Sequence, residues 1–101
     1  QRRPHGKSKT VTRRVEHGSL RVLDAFLPPG IQGQVHAHPA NVGYVMEGCR
    51  YRNYAADGKI TEATLRTGDV MYRYPLTHAA ENIGDTPLHL ILVELKSSPR
   101  Q

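Results

Sequence analysis

Turn signals are the feature of this 101-residue sequence that most limits what it can fold into. They recur about every eight to twelve residues, and the runs between them have the composition of short β-strands. Asp57-Gly58 is the clearest signal, because both central residues of a type I′ hairpin turn need positive φ and this dipeptide tolerates it. No stretch repeats its apolar residues with a helical period. The sequence therefore predicts an all-β sandwich or barrel.

Composition allows one globular domain and no membrane span. Apolar residues make up 38% of the chain and charged residues 23%, which is the range of folded domains. No apolar run reaches the length of about 18 residues that a membrane-spanning helix needs. Cys49 is the single cysteine, so no internal disulfide forms, and this favours a reducing, cytoplasmic location. Because the chain opens at Gln1, removal of an upstream signal and a periplasmic location stay open.

The net charge of +5 comes from the N-terminal end of the chain. The first fourteen residues hold six basic residues and no acid, whereas residues 15–101 hold eight basic and nine acidic residues. This basic arm lacks the interleaved aromatic residues that stack on bases, so we expect no nucleic-acid partner. The sequence divides into a basic arm with an edge strand at 1–18, a barrel domain at 19–96 and a tail at 97–101.

Three histidines are candidate metal ligands. His36 and His38 are two residues apart in a strand-like run, and a strand places such residues on the same face. Two imidazoles on one face suit zinc, iron, copper or nickel. His78, in a later strand-like run, is the third candidate. The alternative is that these histidines are ordinary half-buried polar residues.

Two spaced motifs in the sequence resemble those of the small single-domain cupins. In the first motif, Gly30 is followed after five residues by His36-Ala37-His38, and Gly48 closes the motif. Counting back past six residues from Gly48 gives Asn41, at the position where the family usually has glutamate.

The second motif lies around His78. Gly68, Pro75, His78 and Asn82 match it, with one residue fewer than usual between Gly68 and His78 and without the inner glycine. The stretch "ENIGDTPLHLILVELK" also resembles the last strands of small bacterial cupins, so the resemblance covers about residues 19–96.

The resemblance implies a double-stranded β-helix, or jelly roll, with one divalent transition metal inside the barrel. His36, His38 and His78 would be its ligands, and the metal would be iron, zinc, nickel, copper or manganese. Asn41 offers a neutral amide oxygen and would be a weak ligand. We therefore expect a three-histidine site with water completing the coordination shell.

Three further residues are candidates for substrate binding. Gly43 is in phase with Asn41 and would leave space above the metal, unless it marks a bulge or a close backbone contact. Arg73 would bind a substrate carboxylate, since a guanidinium matches its geometry, unless it is a solvated surface residue. Tyr72 would line the pocket, unless it only packs within the sheet. His89 lies in an apolar run, and we interpret it as a core or interface residue rather than a ligand.

Two functional classes follow from this site. One is a metal-dependent enzyme, with dioxygenase-like oxidoreductase chemistry on a small carboxylate or phenolic substrate as the first hypothesis, and isomerase or lyase chemistry as variants. The other is a non-catalytic module that binds a small molecule, with or without metal. The sequence offers no unambiguous acid–base pair near the expected metal, so no catalytic residue is assigned. The fold alone does not decide between the classes.

The stretch at residues 10–15 alternates β-branched and polar side chains, which is typical of an edge strand. Unpaired sheet edges invite association, and cupins that resemble this chain often pair across a twofold axis. We therefore expect a homodimer whose interface uses this strand. The alternative is a monomer in which residues 1–18 fold back onto their own sheet.

Overall fold

Nine β-strands make up the part of the chain that the structure describes. The structure is a computed structural model in which residues 11–96 are described; most of the basic arm and the C-terminal tail lie outside that range. Between residues 11 and 96 there is no helix, and so none long and apolar enough to cross a membrane. This confirms the all-β prediction. The strands are β1 (Val11–Glu16), β2 (Leu20–Leu27), β3 (His36–His38), β4 (Asn41–Glu47), β5 (Arg50–Ala55), β6 (Ile60–Thr64), β7 (Val70–Arg73), β8 (Leu76–Asn82) and β9 (Leu88–Leu95).

The strands form two antiparallel sheets. The five-stranded sheet has the order β1-β2-β9-β4-β7, and the four-stranded sheet has the order β3-β8-β5-β6. After β2, most connections cross from one sheet to the other, so that strands distant in sequence become neighbours. This is the jelly-roll arrangement that the sequence predicts, and it brings β3 next to β8 and β9 next to β4.

β9 shows how the alternation of side chains builds the core. Leu88, Leu90 and Leu92 are buried on the inner face, while the residues between them are half-buried on the other face, as the period of a strand requires. Glu94 is the next member of this inward series. The leucines belong to one apolar cluster with four other buried residues, Leu23, Leu27, Val45 and Cys49.

The hairpin predicted at Asp57-Gly58 is present, but its turn is not type I′. β5 ends at Ala55 and β6 begins at Ile60, so the loop has four residues instead of two. Gly58 has a φ of 92°, whereas no residue other than glycine in the described chain has a positive φ. The Asp57 carboxylate instead accepts a hydrogen bond from the Lys59 amide at 2.9 Å, which stabilises the longer loop.

Gly48 lies where two segments of backbone touch. A Cβ atom at this position would be 2.0 Å from the carbonyl oxygen of Leu65 and 2.6 Å from its carbonyl carbon. The Leu65 amide donates a hydrogen bond to the Cys49 carbonyl oxygen at 3.0 Å, which holds the two segments together. The glycine that closes the first motif is therefore required by packing.

We expect Gly48→Ala to lower the free energy of unfolding by about 2 kcal/mol or more, because the backbone at Leu65 cannot withdraw without losing that hydrogen bond. Urea denaturation followed by circular dichroism measures the change. Gly18→Ala is the matched control, since no atom lies within 4 Å of its Cβ position, and its stability should be unchanged or slightly higher. Equal stabilities of the two variants would contradict the packing argument.

Candidate metal centre

The three candidate histidines line the same cavity inside the barrel. β3 pairs with β8 so that His36 lies directly opposite His78, and the alternation along β3 places His38 on the same side as His36. The ring centroids of His36 and His38 are 5.6 Å apart, and those of His38 and His78 are 5.2 Å apart. Two imidazoles that bind one zinc ion at about 2.1 Å have centroids about 5 Å apart, so these separations are close to those of a metal site.

Two of the imidazoles are oriented by oxygen acceptors. Nδ1–H of His38 donates to Oε2 of Glu94 at 2.9 Å, and Nδ1–H of His78 donates to Oδ1 of Asn53 at 2.6 Å. Because these oxygens only accept, they favour the tautomer with the proton on Nδ1. Nε2 of each ring then carries the lone pair that a metal needs.

The surroundings of His78 and His36 favour the neutral form of these two imidazoles. Burial lowers the pKa of His78 to about 4, and repulsion from Arg73 and then from His38 and His36 adds to this effect. Burial also lowers the pKa of His36, with a further contribution from His38. Since imidazole binds a metal in its neutral form, these shifts suit a ligand cluster.

The donor set fits a divalent transition metal in type and orientation. Imidazole nitrogen suits zinc, copper, iron and nickel. Nevertheless, residues 11–96 contain no group of three or more His, Cys, Asp or Glu side chains already close enough together to hold a metal ion. Binding at this cluster would therefore have to draw the three rings toward one point.

Asn41 is next to the cluster but is not part of the cavity wall. Its side chain is completely buried, and Nδ2 donates to the Pro39 carbonyl oxygen at 3.0 Å. Oδ1 has no hydrogen-bond partner among the described residues. On neighbouring strands, Asn41 lies directly opposite Arg73 on one side and Glu94 on the other.

A small cavity of about 80 Å³ opens beside the histidines, and all three of them line it together with Arg73. The rest of its wall is mainly apolar and includes Leu90 and Leu92. Arg73 is mostly buried, and its Nε has no hydrogen-bond partner among the described residues. Burial lowers the pKa of this guanidinium, yet arginine stays charged at neutral pH. The cavity thus combines an unpaired cation with apolar walls.

The other two predicted substrate residues are not brought to this cavity. Along β7 the side chains alternate, so Arg73 faces inward and Tyr72 faces outward, where it is 54% exposed and packs edge-on against Tyr74. Gly43 faces inward, but its Cβ position is 3.3 Å from Leu92 and 3.4 Å from Met71. The space that the glycine leaves is therefore filled by packed side chains rather than open above the histidines.

His89 is separate from the cluster. It lies on the outer face of the five-stranded sheet, where its Nε2 hydrogen-bonds Oδ1 of Asp24 at 2.8 Å and its ring stands edge-on to Phe26.

Sequence reasoning missed two residues that hold the histidines in place. Glu94 follows Leu88, Leu90 and Leu92 at intervals of two, and this phase marks it as an inward-facing carboxylate in an otherwise apolar run. That signal was available in the sequence. Asn53 lies among charged and aromatic residues of β5, and no pattern in the sequence distinguishes it.

Comparison with known proteins agrees with this architecture. No protein-family model matches the sequence, and no curated protein matches it significantly. Among solved structures, a cupin domain from Bordetella pertussis is 21% identical with a TM-score of 0.79, over 96% of this chain and 99% of that chain. The chain therefore has the cupin fold, a double-stranded β-helix.

Two other solved structures are also similar to this chain. A conserved protein with a double-stranded β-helix domain from Klebsiella pneumoniae is 21% identical with a TM-score of 0.67, over 96% of this chain and 90% of that chain. Oxalate decarboxylase from Bacillus subtilis, which has Mn(II) centres, is 26% identical with a TM-score of 0.58. That match covers 81% of this chain but 23% of the decarboxylase, so this chain corresponds to about a quarter of it.

We expect Arg73→Met to leave the free energy of unfolding unchanged or to raise it. A methionine of similar length removes a buried nitrogen that has no partner and keeps the packing. Arg21→Met is the contrasting control, because Arg21 bonds Glu16 at 2.9 Å and lies 3.6 Å from buried Glu94. Thermal unfolding should show a loss for Arg21→Met alone; a loss of more than about 1 kcal/mol for Arg73→Met would mean that the guanidinium is structural.

Proposed function

We propose that this small cupin binds one divalent transition metal through His36, His38 and His78 and holds a small organic carboxylate beside it. The observation that carries the proposal is that His38 and His78 each donate Nδ1–H to a fixed oxygen, which leaves Nε2 as the free donor atom. Metal-binding histidines in proteins almost always have such a partner. The match to a protein with Mn(II) centres makes manganese the first metal to test, followed by iron, zinc, nickel and copper.

Arg73 and the size of the cavity support the carboxylate. A guanidinium binds a carboxylate through two parallel hydrogen bonds, and the buried Nε of Arg73 is free to take part in them. A cavity of about 80 Å³ is smaller than the usual sites for drug-sized ligands, so the ligand has few non-hydrogen atoms. An unpaired cation favours a carboxylate over a neutral phenol.

We propose dioxygenase-like oxidation as the first activity to test, and non-catalytic binding as the alternative. A metal held by three neutral histidines keeps open positions for a substrate and dioxygen. The titratable side chains among the described residues that line the cavity are the three histidines, Tyr51 and Arg73, with no carboxylate. With the three histidines bound to the metal, Tyr51 would be the remaining candidate for the base that isomerase or lyase chemistry needs. Oxygen uptake by the metal-loaded protein with small carboxylates and phenols distinguishes oxidation from binding.

A cytoplasmic location is part of the same proposal. Cys49 is buried and free, and burial raises the pKa of its thiol, so nothing in its surroundings calls for an oxidising compartment.

We also propose that two copies of the chain associate. β1 pairs with β2 of its own chain, with Val11 opposite Ala25, and stands at the edge of the five-stranded sheet. Its other edge has no strand beside it within the described chain. The outer face of the same sheet exposes large apolar side chains, and exposed apolar patches often mark interaction surfaces. They include Phe26, Tyr44, Met46, Val70 and Tyr72.

We expect the metal-loaded wild-type protein to contain about one metal ion per chain. His36→Ala, His38→Ala and His78→Ala should each remove most of it, because each takes away one of three ligands. His89→Ala is the matched control and should keep its metal, since that imidazole lies on the outer face. Elemental analysis of protein purified without a histidine tag measures the content; a full complement in His78→Ala would disprove the three-histidine site.

We expect light scattering at micromolar concentration to give a dimer mass for the intact chain. A chain without residues 1–15 should give a monomer mass, because most of β1 is then missing, whereas a chain without residues 1–9 should stay dimeric. Circular dichroism checks that both shortened chains keep their strands. A monomer mass for the intact chain would refute the dimer.

A further inference from the structure

Polar side chains form one row across the inner face of the five-stranded sheet. Register places Arg73 of β7 opposite Asn41 of β4, Asn41 opposite Glu94 of β9, and Glu94 opposite Arg21 of β2. Directly opposite residues in an antiparallel sheet share a face and approach closely. The row therefore carries one neutral amide and one carboxylate side by side, between two arginines.

Glu94 is the one buried carboxylate among residues 11–96, with 4% of its surface exposed. Oε2 accepts the Nδ1–H of His38 at 2.9 Å, and Oε1 lies 3.6 Å from Nη1 of Arg21. A buried carboxylate is costly unless it is paired. Its closest partner is a histidine of the candidate metal centre, and that histidine belongs to the other sheet.

Asn41 stands next to this carboxylate and carries no charge. Its Oδ1 lacks a partner within the described residues, and its Nδ2 is occupied by the Pro39 carbonyl oxygen. Histidine side chains bring no negative charge of their own. The nearest negative charge to them is therefore one strand away from position 41, at Glu94, and reaches the cluster through His38.

We propose that Glu94 is a positioning residue of the metal centre, which fixes His38 and supplies through it the negative charge that position 41 does not carry. This inference rests on the proposed function, because it concerns the same three histidines. A carboxylate that accepts the Nδ1–H of a ligand histidine fixes the direction of Nε2 and makes it a stronger donor. Glu94 itself is not part of the cavity wall and acts only through His38.

The first experiment compares the dissociation constants of Co(II) and Mn(II) for the wild type and Glu94→Gln, with the visible spectrum of bound Co(II) as a second readout. The amide oxygen of glutamine still accepts a hydrogen bond, but the charge is lost. We expect affinity to fall about 10- to 100-fold and the Co(II) bands to shift. Glu47→Gln, at an exposed position of β4, is the matched control and should bind as the wild type does.

The second experiment moves the charge between neighbouring strands. Asn41→Glu alone adds a second carboxylate to the row, opposite Glu94 on one side and Arg73 on the other. Because Glu94 already holds His38, the second carboxylate should not tighten metal binding. In the Glu94→Gln background the same substitution restores a single carboxylate in the row. We expect this double variant to bind metal at least about tenfold more tightly than Glu94→Gln alone.

The outcomes separate this inference from the proposed function. Failure of the wild type to bind either metal would overturn both. Wild-type affinity in Glu94→Gln, together with loss of binding in His38→Ala, would overturn the role of Glu94 and leave the three-histidine site in place. Failure of Asn41→Glu to improve the Glu94→Gln variant would overturn the claim that negative charge in this row strengthens the metal centre.

Discussion

A buried hydrogen bond between the Glu94 carboxylate and the His38 imidazole joins the two sheets of this barrel at the candidate metal centre. β3 and β8 belong to one sheet and β9 to the other, so this hydrogen bond links the strands that carry the histidines to the strand that carries the core leucines. Removing one partner of such a buried pair leaves an uncompensated polar group, at a cost of several kcal/mol. His36 and His78 are held in fixed positions relative to His38, because β3 carries both His36 and His38 and pairs with β8.

The barrel interior has an apolar part and a polar part. The polar part contains the buried side-chain atoms that have no hydrogen-bond partner among the described residues. Oδ1 of Asn41 and Nε of Arg73 are both buried without a partner, and the two residues are directly opposite in the sheet. Such atoms are rare in folded proteins and cost stability. Two such atoms near the three histidines bring no gain in stability, which is the pattern expected of a binding site.

Much of this architecture could be predicted from residues alone, because it depends on local rules. Regular turn signals gave the strands, and the interval of two between His36 and His38 placed both imidazoles on one face. The same rule applied to Leu88, Leu90 and Leu92 would have pointed to Glu94. Contacts between residues of different strands could not be predicted in this way. Asn53 contacts His78 because β5 pairs with β8, and these strands are far apart in sequence. Tyr72 is not a pocket residue, because Met71 and Arg73 face inward from β7 and the alternation of side chains turns Tyr72 outward. The turn at Asp57 is not type I′, because the loop between β5 and β6 has four residues and a type I′ turn has two.

We propose that His36, His38 and His78 bind one metal inside the barrel, with His38 oriented by Glu94 and His78 by Asn53. The most direct measurement is an anomalous difference map from crystals of the protein grown with Mn(II) or Zn(II). We expect a single strong peak at about 2.0–2.2 Å from Nε2 of His36, His38 and His78, with Nδ1 of His38 still bonded to Glu94. A metal bound through Nδ1 of these rings, or a peak on the outer face with none in the barrel, would contradict it.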